Sequence, residues 1–102
     1  MNQVILNQLK IEKANLIKDG VTILGVFGSF ARGEETKDSD LDLLFEESTA
    51  FKLQYKGLKR VDRLEFIKKD LELKLNRKVD LVNKNTLGEI GKKYILKTVV
   101  NV

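Results

Sequence analysis

The chain has 102 residues, 42% of them hydrophobic and 33% charged, with 19 Lys and Arg against 15 Asp and Glu for a net charge of +4. That length and balance predict one folded domain over residues 1–102, and exclude long disorder or a catalytic domain joined to a separate substrate domain. The absence of cysteine rules out disulfides and thiolate metal sites, and the absence of histidine rules out a Ser-His-Asp hydrolase.

Residues 3–18 read as an amphipathic helix, with Ile5, Leu9 and Leu16 on one face, Leu6 and Ile17 beside them, and Gln8, Lys10 and Lys13 outside. Asp19-Gly20 ends it as a turn. "VTILGVF", residues 21–27, is β-branched and uncharged, which predicts a buried central strand. Gly28 to Gly33 form a tight connection with one helical turn, and "EETKDS" is an exposed loop.

Residues 40–46 alternate, with Leu41, Leu43 and Phe45 on one face and Asp40, Asp42, Leu44 and Glu46 on the other. A second helix is expected over 58–75, with Leu58, Val61, Leu64, Ile67, Leu71 and Leu75 as its inner stripe and Asn76 as a left-handed C-cap. "KVDLV", residues 78–82, predicts a third strand. Thr86 and Glu89 have the spacing of a capping box opening a final helix to about Lys97. The tail "TVVNV" is β-prone, with an apolar face suited to pairing with another chain or to self-association in a homo-oligomer. Together these elements predict an α/β domain, a small mixed sheet flanked by helices.

No stretch approaches the roughly 18 apolar residues of a membrane span, and the N-terminus lacks a signal-peptide layout, so a cytoplasmic location is expected. The lysines spread along the chain and read first as a solvated surface, second as mild attraction for phosphates.

The chemistry concentrates around residues 27–45. Asp40 and Asp42, two apart on a strand, project to one side, with Cα atoms roughly 7 Å apart. Two carboxylates in an otherwise apolar strand repel one another unless a cation stands between them. With no His or Cys available, that cation is one held by oxygen, Mg²⁺ or Mn²⁺. Gly28-Ser29 follows the first strand directly, where glycine admits a phosphate to the backbone and serine supplies a donor. Arg32, one turn on, suits either a phosphate or a surface ion pair. Asp80, flanked by Val79 and Leu81, shares the face of Asp40 and Asp42 if its strand is their neighbour.

Gly28-Ser29, ten intervening residues, then Asp40-Leu41-Asp42 resembles the G-S-x10-D-x-D signature of the minimal nucleotidyltransferases, within the DNA polymerase β-like nucleotidyltransferase superfamily. "GSFARGE", "SDLDLLF" and "RKVDLV" match that pattern in order and spacing, over roughly Val21 to Leu87. At this length the second domain of larger relatives is expected to be absent. The resemblance implies a nucleotidyltransferase fold in which Gly28, Ser29 and Arg32 bind the nucleotide. It also implies that Asp40, Asp42 and Asp80 are catalytic and hold two Mg²⁺ ions, with ATP as substrate. It implies further an antitoxin that adds AMP to a tyrosine of a HEPN-type ribonuclease toxin. Two other readings stand beside it: an antitoxin acting by contact alone, and a transferase for a small molecule or a tRNA end.

Overall fold

The computed structural model describes residues 2–102. Helix α1 (Gln3–Ile17) begins at Asn2, whose side chain accepts from the amides of Val4 and Ile5. It leads into β1 (Val21–Phe27), the four-residue helix α2 (Ser29–Arg32) and β2 (Leu41–Glu47). Helices α3 (Thr49–Gln54) and α4 (Leu58–Leu75) carry the chain across to β3 (Val79–Asn83). A 3₁₀ turn (Lys84–Thr86), helix α5 (Glu89–Thr98) and the short β4 (Val100–Asn101) complete it.

The sheet order is β3-β2-β1-β4. β1 pairs antiparallel with β2 and with β4, while β2 and β3 run parallel, so the sheet is mixed as expected. Ile5, Leu9 and Leu16 of α1 and Ile67, Leu71 and Leu75 of α4 pack in one cluster with Val21, Ile23, Leu41, Leu43, Phe45 and Val79. Asn76 takes the left-handed conformation, φ 51° and ψ 44°, and closes α4. Among the described residues, no helix is long and apolar enough to cross a membrane.

Several expectations are corrected. Helix α3 goes unanticipated because it is too short to show a period. Its start is chemical, with Ser48 Oγ accepting from the Phe51 amide at 3.1 Å while Phe51 is buried. Leu58 and Val61 do not face the core but stand 81% and 61% exposed. An 18-residue helix spans about 27 Å, whereas the five-residue β3 spans about 17 Å, so the first turns of α4 have little sheet to cover. Leu44, placed with the polar face, is fully buried outside the main cluster, opposite Gly25.

The capping box does not form. Thr86 lies in the 3₁₀ turn, its hydroxyl donating to Asn83 O at 3.0 Å, and Gly88 caps α5. The tail pairs with its own β1: Val100 lies opposite Val26 and Asn101 opposite Gly25. Gly25 permits this, since a Cβ there would stand 2.5 Å from Val100 O. Lys13 Nζ donates to Val102 O and fastens the end of the chain.

One buried charge is fully held. Glu47, at the far end of β2, has a fully buried side chain that accepts from Arg60 through both carboxylate oxygens, and from Asn83 Nδ2 at 2.6 Å. Burial pushes its carboxyl up, but the hydrogen bonds from Arg60 and Asn83 prevail and hold it below its ordinary 4.5. A depressed folded-state value gives stability that is complete above that ordinary value and lost as pH falls through the folded one. Arg60→Ala leaves the carboxylate buried without its main partner. Because Arg60 is itself 35% exposed, the expected loss is on the order of 3 kcal/mol, the low end for a broken buried pair. Urea unfolding at neutral pH measures it, and the difference from the parent should shrink as the pH is lowered through the Glu47 titration.

Candidate active site

The site gathers where β1 ends and β2 and β3 begin. Phe27 is the register partner of Asp42 across the antiparallel pair, and Asp42 is the partner of Asp80 across the parallel pair. Residues in one such row point to the same face, so the adjacency of Asp80, undecidable from sequence, is present here. Asp40 lies just before β2 begins, two residues ahead of Asp42.

The three carboxylates are less buried than an apolar strand suggested. Asp42 is half-buried, while Asp40 and Asp80 are exposed, because the row lies at the open end of the sheet. Among the described residues none of the three is in an ion pair, although Arg60, Arg63 and Lys74 pair with other acids. Burial first, then the charges of Asp80 and Asp40, push the Asp42 carboxyl above its ordinary value, and Arg32 offsets part of this. The acids therefore feel one another. Among the described residues no group of three or more acidic side chains is placed to hold a metal ion together.

Gly28 makes the turn with φ 73° and ψ −150°, a conformation essentially confined to glycine. A Cβ built on it would collide with Asp42 Oδ2, so the turn backbone lies directly against that carboxylate. Ser29 opens α2, and Phe30 behind it is 1% exposed, anchoring the turn in the core. Arg32 is half exposed and paired with Glu34 at 3.1 Å, the surface ion pair of its two readings, while its charge still acts on Asp42. The structure thus brings Asp42, Asp80 and Gly28 into contact range, with Asp40, Ser29 and Arg32 around them.

Two neighbours were not anticipated. A cavity of about 260 Å³ beside Asp40 is bordered by Lys37, Asp38, Arg77 and Lys78, a mixed set of three cations and a further acid. Another, of about 270 Å³, lies between α4 and β3 and reaches Asp80, lined by Val61, Leu64 and Leu81. Asp80 is thereby approachable from the open sheet edge. The signal for the first was present in sequence as "TKDSD" and "RK", but only folding brings the two stretches together.

The donor set is all oxygen, its carboxylates are mutually repelling and unpaired, and a glycine cradle stands against one of them. Those features fit a divalent cation and a phosphate chain. A mixed four-stranded sheet carrying this row of acids beside a Gly-Ser turn defines a nucleotidyltransferase fold. The nucleotidyltransferase domain family matches residues 9–101, and the chain belongs to that family and is a nucleotidyltransferase. It is 41% identical over 85 residues to the protein adenylyltransferase MntA of Thermococcus cleftensis, covering 81% of this chain and 76% of that one. A candidate protein adenylyltransferase of Methanocaldococcus jannaschii is 34% identical, over 85% of both chains. The solved structure of a candidate minimal nucleotidyltransferase superposes with a TM-score of 0.70 at 29% identity over 95% of each chain. A chain from a toxin–antitoxin crystal structure with AMP-PNP shares the fold, with a TM-score of 0.66 at 21% identity, over 93% of this chain and 71% of that one.

Proposed function

We propose that the chain is an antitoxin that transfers AMP from Mg-ATP to a tyrosine of a HEPN-type ribonuclease toxin and so silences it in the cytoplasm. The observation that carries the reading is the row Phe27–Asp42–Asp80, with Asp40 two residues from Asp42 and the Gly28 backbone against it. The relatives named as protein adenylyltransferases support a protein acceptor, and the chain of like fold in a toxin–antitoxin complex supports a toxin as that protein.

Asp40, Asp42 and Asp80 would hold the Mg²⁺ ions. When bound, the ions neutralise phosphate charge and the charge that develops at the α-phosphorus. Gly28 admits the triphosphate to the backbone, and Ser29 and Arg32 supply donors and charge to its oxygens. Asp80, reachable from the sheet edge, orients the tyrosine hydroxyl and takes up its proton. The tyrosine oxygen bonds to the α-phosphorus, the bond to the bridging oxygen breaks, and pyrophosphate leaves. The chain's contribution is position and charge, not a covalent intermediate.

Intact mass spectrometry of the partner tests this. The toxin encoded beside this chain, incubated with it, ATP and Mg²⁺, should gain AMP on tyrosine, and the gain should vanish when Asp42 is replaced by Asn. A toxin that is silenced but never modified would overturn enzymatic transfer in favour of contact. Transfer to a small molecule or a tRNA end alone would remove the toxin from the account.

A further inference from the structure

Arg77 opens the "RKVDLV" stretch, and its side chain reaches two other parts of the site's frame, the loop before Asp40 and the Phe30 ring. It sits in the turn between α4 and β3, three residues before Asp80. Its Nη1 donates to Thr36 O at 2.6 Å and to Ser39 O at 3.2 Å, and Ser39 directly precedes Asp40. Its Cζ stands 4.9 Å from the centroid of the Phe30 ring, and Phe30 directly follows Ser29. The turn before β3 is itself fixed, with the Arg77 amide donating to Glu72 O at 3.3 Å and Leu41 N to Lys78 O at 2.8 Å.

We infer that Arg77 is a positioning residue, clamping the Asp40 loop and the Gly28-Ser29 turn to the start of the Asp80 strand. The inference rests on the nucleotidyltransferase reading for its consequence, though not for its geometry. The loop from Gly33 to Asp40 has few holds of its own: Thr36 and Ser39 bond each other, and the Glu34 amide donates to Ser29 O. Those bonds and the Arg32–Glu34 pair reach only to the adjoining α2, whereas Arg77 ties the loop to the turn before β3. The planar guanidinium suits both tasks, since it stacks flat on a ring while its edge donates to carbonyls. Lysine at this position keeps a charge and donors but loses the planar guanidinium that lies over Phe30. Its charge also borders the cavity beside Asp40, so removing it changes position and field together.

The test compares the parent with Arg77→Ala and Arg77→Lys, each well below its own melting midpoint. Amide hydrogen exchange in metal-free buffer should show residues 34–40 exchanging about tenfold faster in Arg77→Ala, the scale of one lost charged hydrogen bond. Amides of α1, α4 and the centre of β1 should keep parental protection. The Mg²⁺ concentration giving half-maximal transfer should rise several-fold, with kcat reduced and KM for ATP changed less, and Arg77→Lys should recover part of each. Unchanged exchange in the loop would overturn the clamp. A looser loop with an unaltered Mg²⁺ requirement and rate would show Arg77 to be structural only, and would overturn positioning. If the parent itself transfers nothing, the functional reading falls, while the exchange pattern still decides the clamp.

Discussion

Asp42→Asn should abolish nucleotidyl transfer, by about 10³-fold or more on the scale of losing a central electrostatic group, and at the same time make the metal-free domain more stable. Both effects follow from one cause. Asp42 stands between Phe27 and Asp80 in its row, and burial first, then the charges of Asp80 and Asp40, press on its carboxyl. A carboxyl raised in the folded state favours folding most when protonated. That contribution is complete below the ordinary value of 3.8 and is lost as pH rises through the folded value, so at neutral pH the charge opposes folding. Asparagine keeps the shape and removes the charge. Thermal unfolding in chelator should therefore give a higher midpoint for the variant, while added Mg²⁺ should raise the midpoint of the parent more than that of the variant. A variant that unfolds in metal-free buffer would show Asp42 to be a structural residue instead.

Gly28→Ala is expected to lose both stability and activity, which separates it from Asp42→Asn. Alanine in the φ 73°, ψ −150° conformation costs about 2 kcal/mol of backbone strain, and its Cβ collides with Asp42 Oδ2. Relief requires either the turn or the carboxylate to move. A displacement of about 1 Å at a reacting centre costs roughly 10²-fold in rate. Denaturant midpoints and transfer rates on the same sample check the pair of effects. The double variant Gly28→Ala, Asp42→Ala should be less than additive in stability, because shortening residue 42 removes the side-chain atoms that the new Cβ meets. Strict additivity would mean that the two residues do not share a contact.

The parts legible from sequence were those set by local chemistry. β1 is an uncharged β-branched run and occupies the expected residues, and Asn76 closes α4 in the conformation its side chain tolerates. The acids and the Gly-Ser turn could be picked out because their spacing survives without any tertiary contact. Other features depended on competition between alternatives. Thr86 had a capping-box partner available and instead donates to the Asn83 carbonyl three residues back. Glu12 falls on the buried stripe of α1, yet is tolerated there because Gln8 donates to it at 2.9 Å and Lys74 of α4 pairs with it at 3.1 Å. No local pattern announces that pairing. Arg77 is the clearest case, since its partners Phe30, Thr36 and Ser39 lie 38 to 47 positions away. What a residue clamps across such separations is decided by topology, and the parallel pairing of β2 with β3 is what brings Arg77 to the Asp40 loop.

Asp40, Asp42 and Asp80, with the Gly28-Ser29 turn, are proposed to form one metal and nucleotide site. The most direct measurement replaces Mg²⁺ by Mn²⁺ in the presence of a non-hydrolysable ATP analogue and maps paramagnetic broadening of backbone amide signals. The account predicts that broadening centres on the amides of residues 27–30, 40–43 and 79–81, and that Asp42→Asn removes it at the same Mn²⁺ concentration. Broadening centred elsewhere, such as the Asp62–Phe66 face of α4, or broadening unchanged by Asp42→Asn, would contradict it.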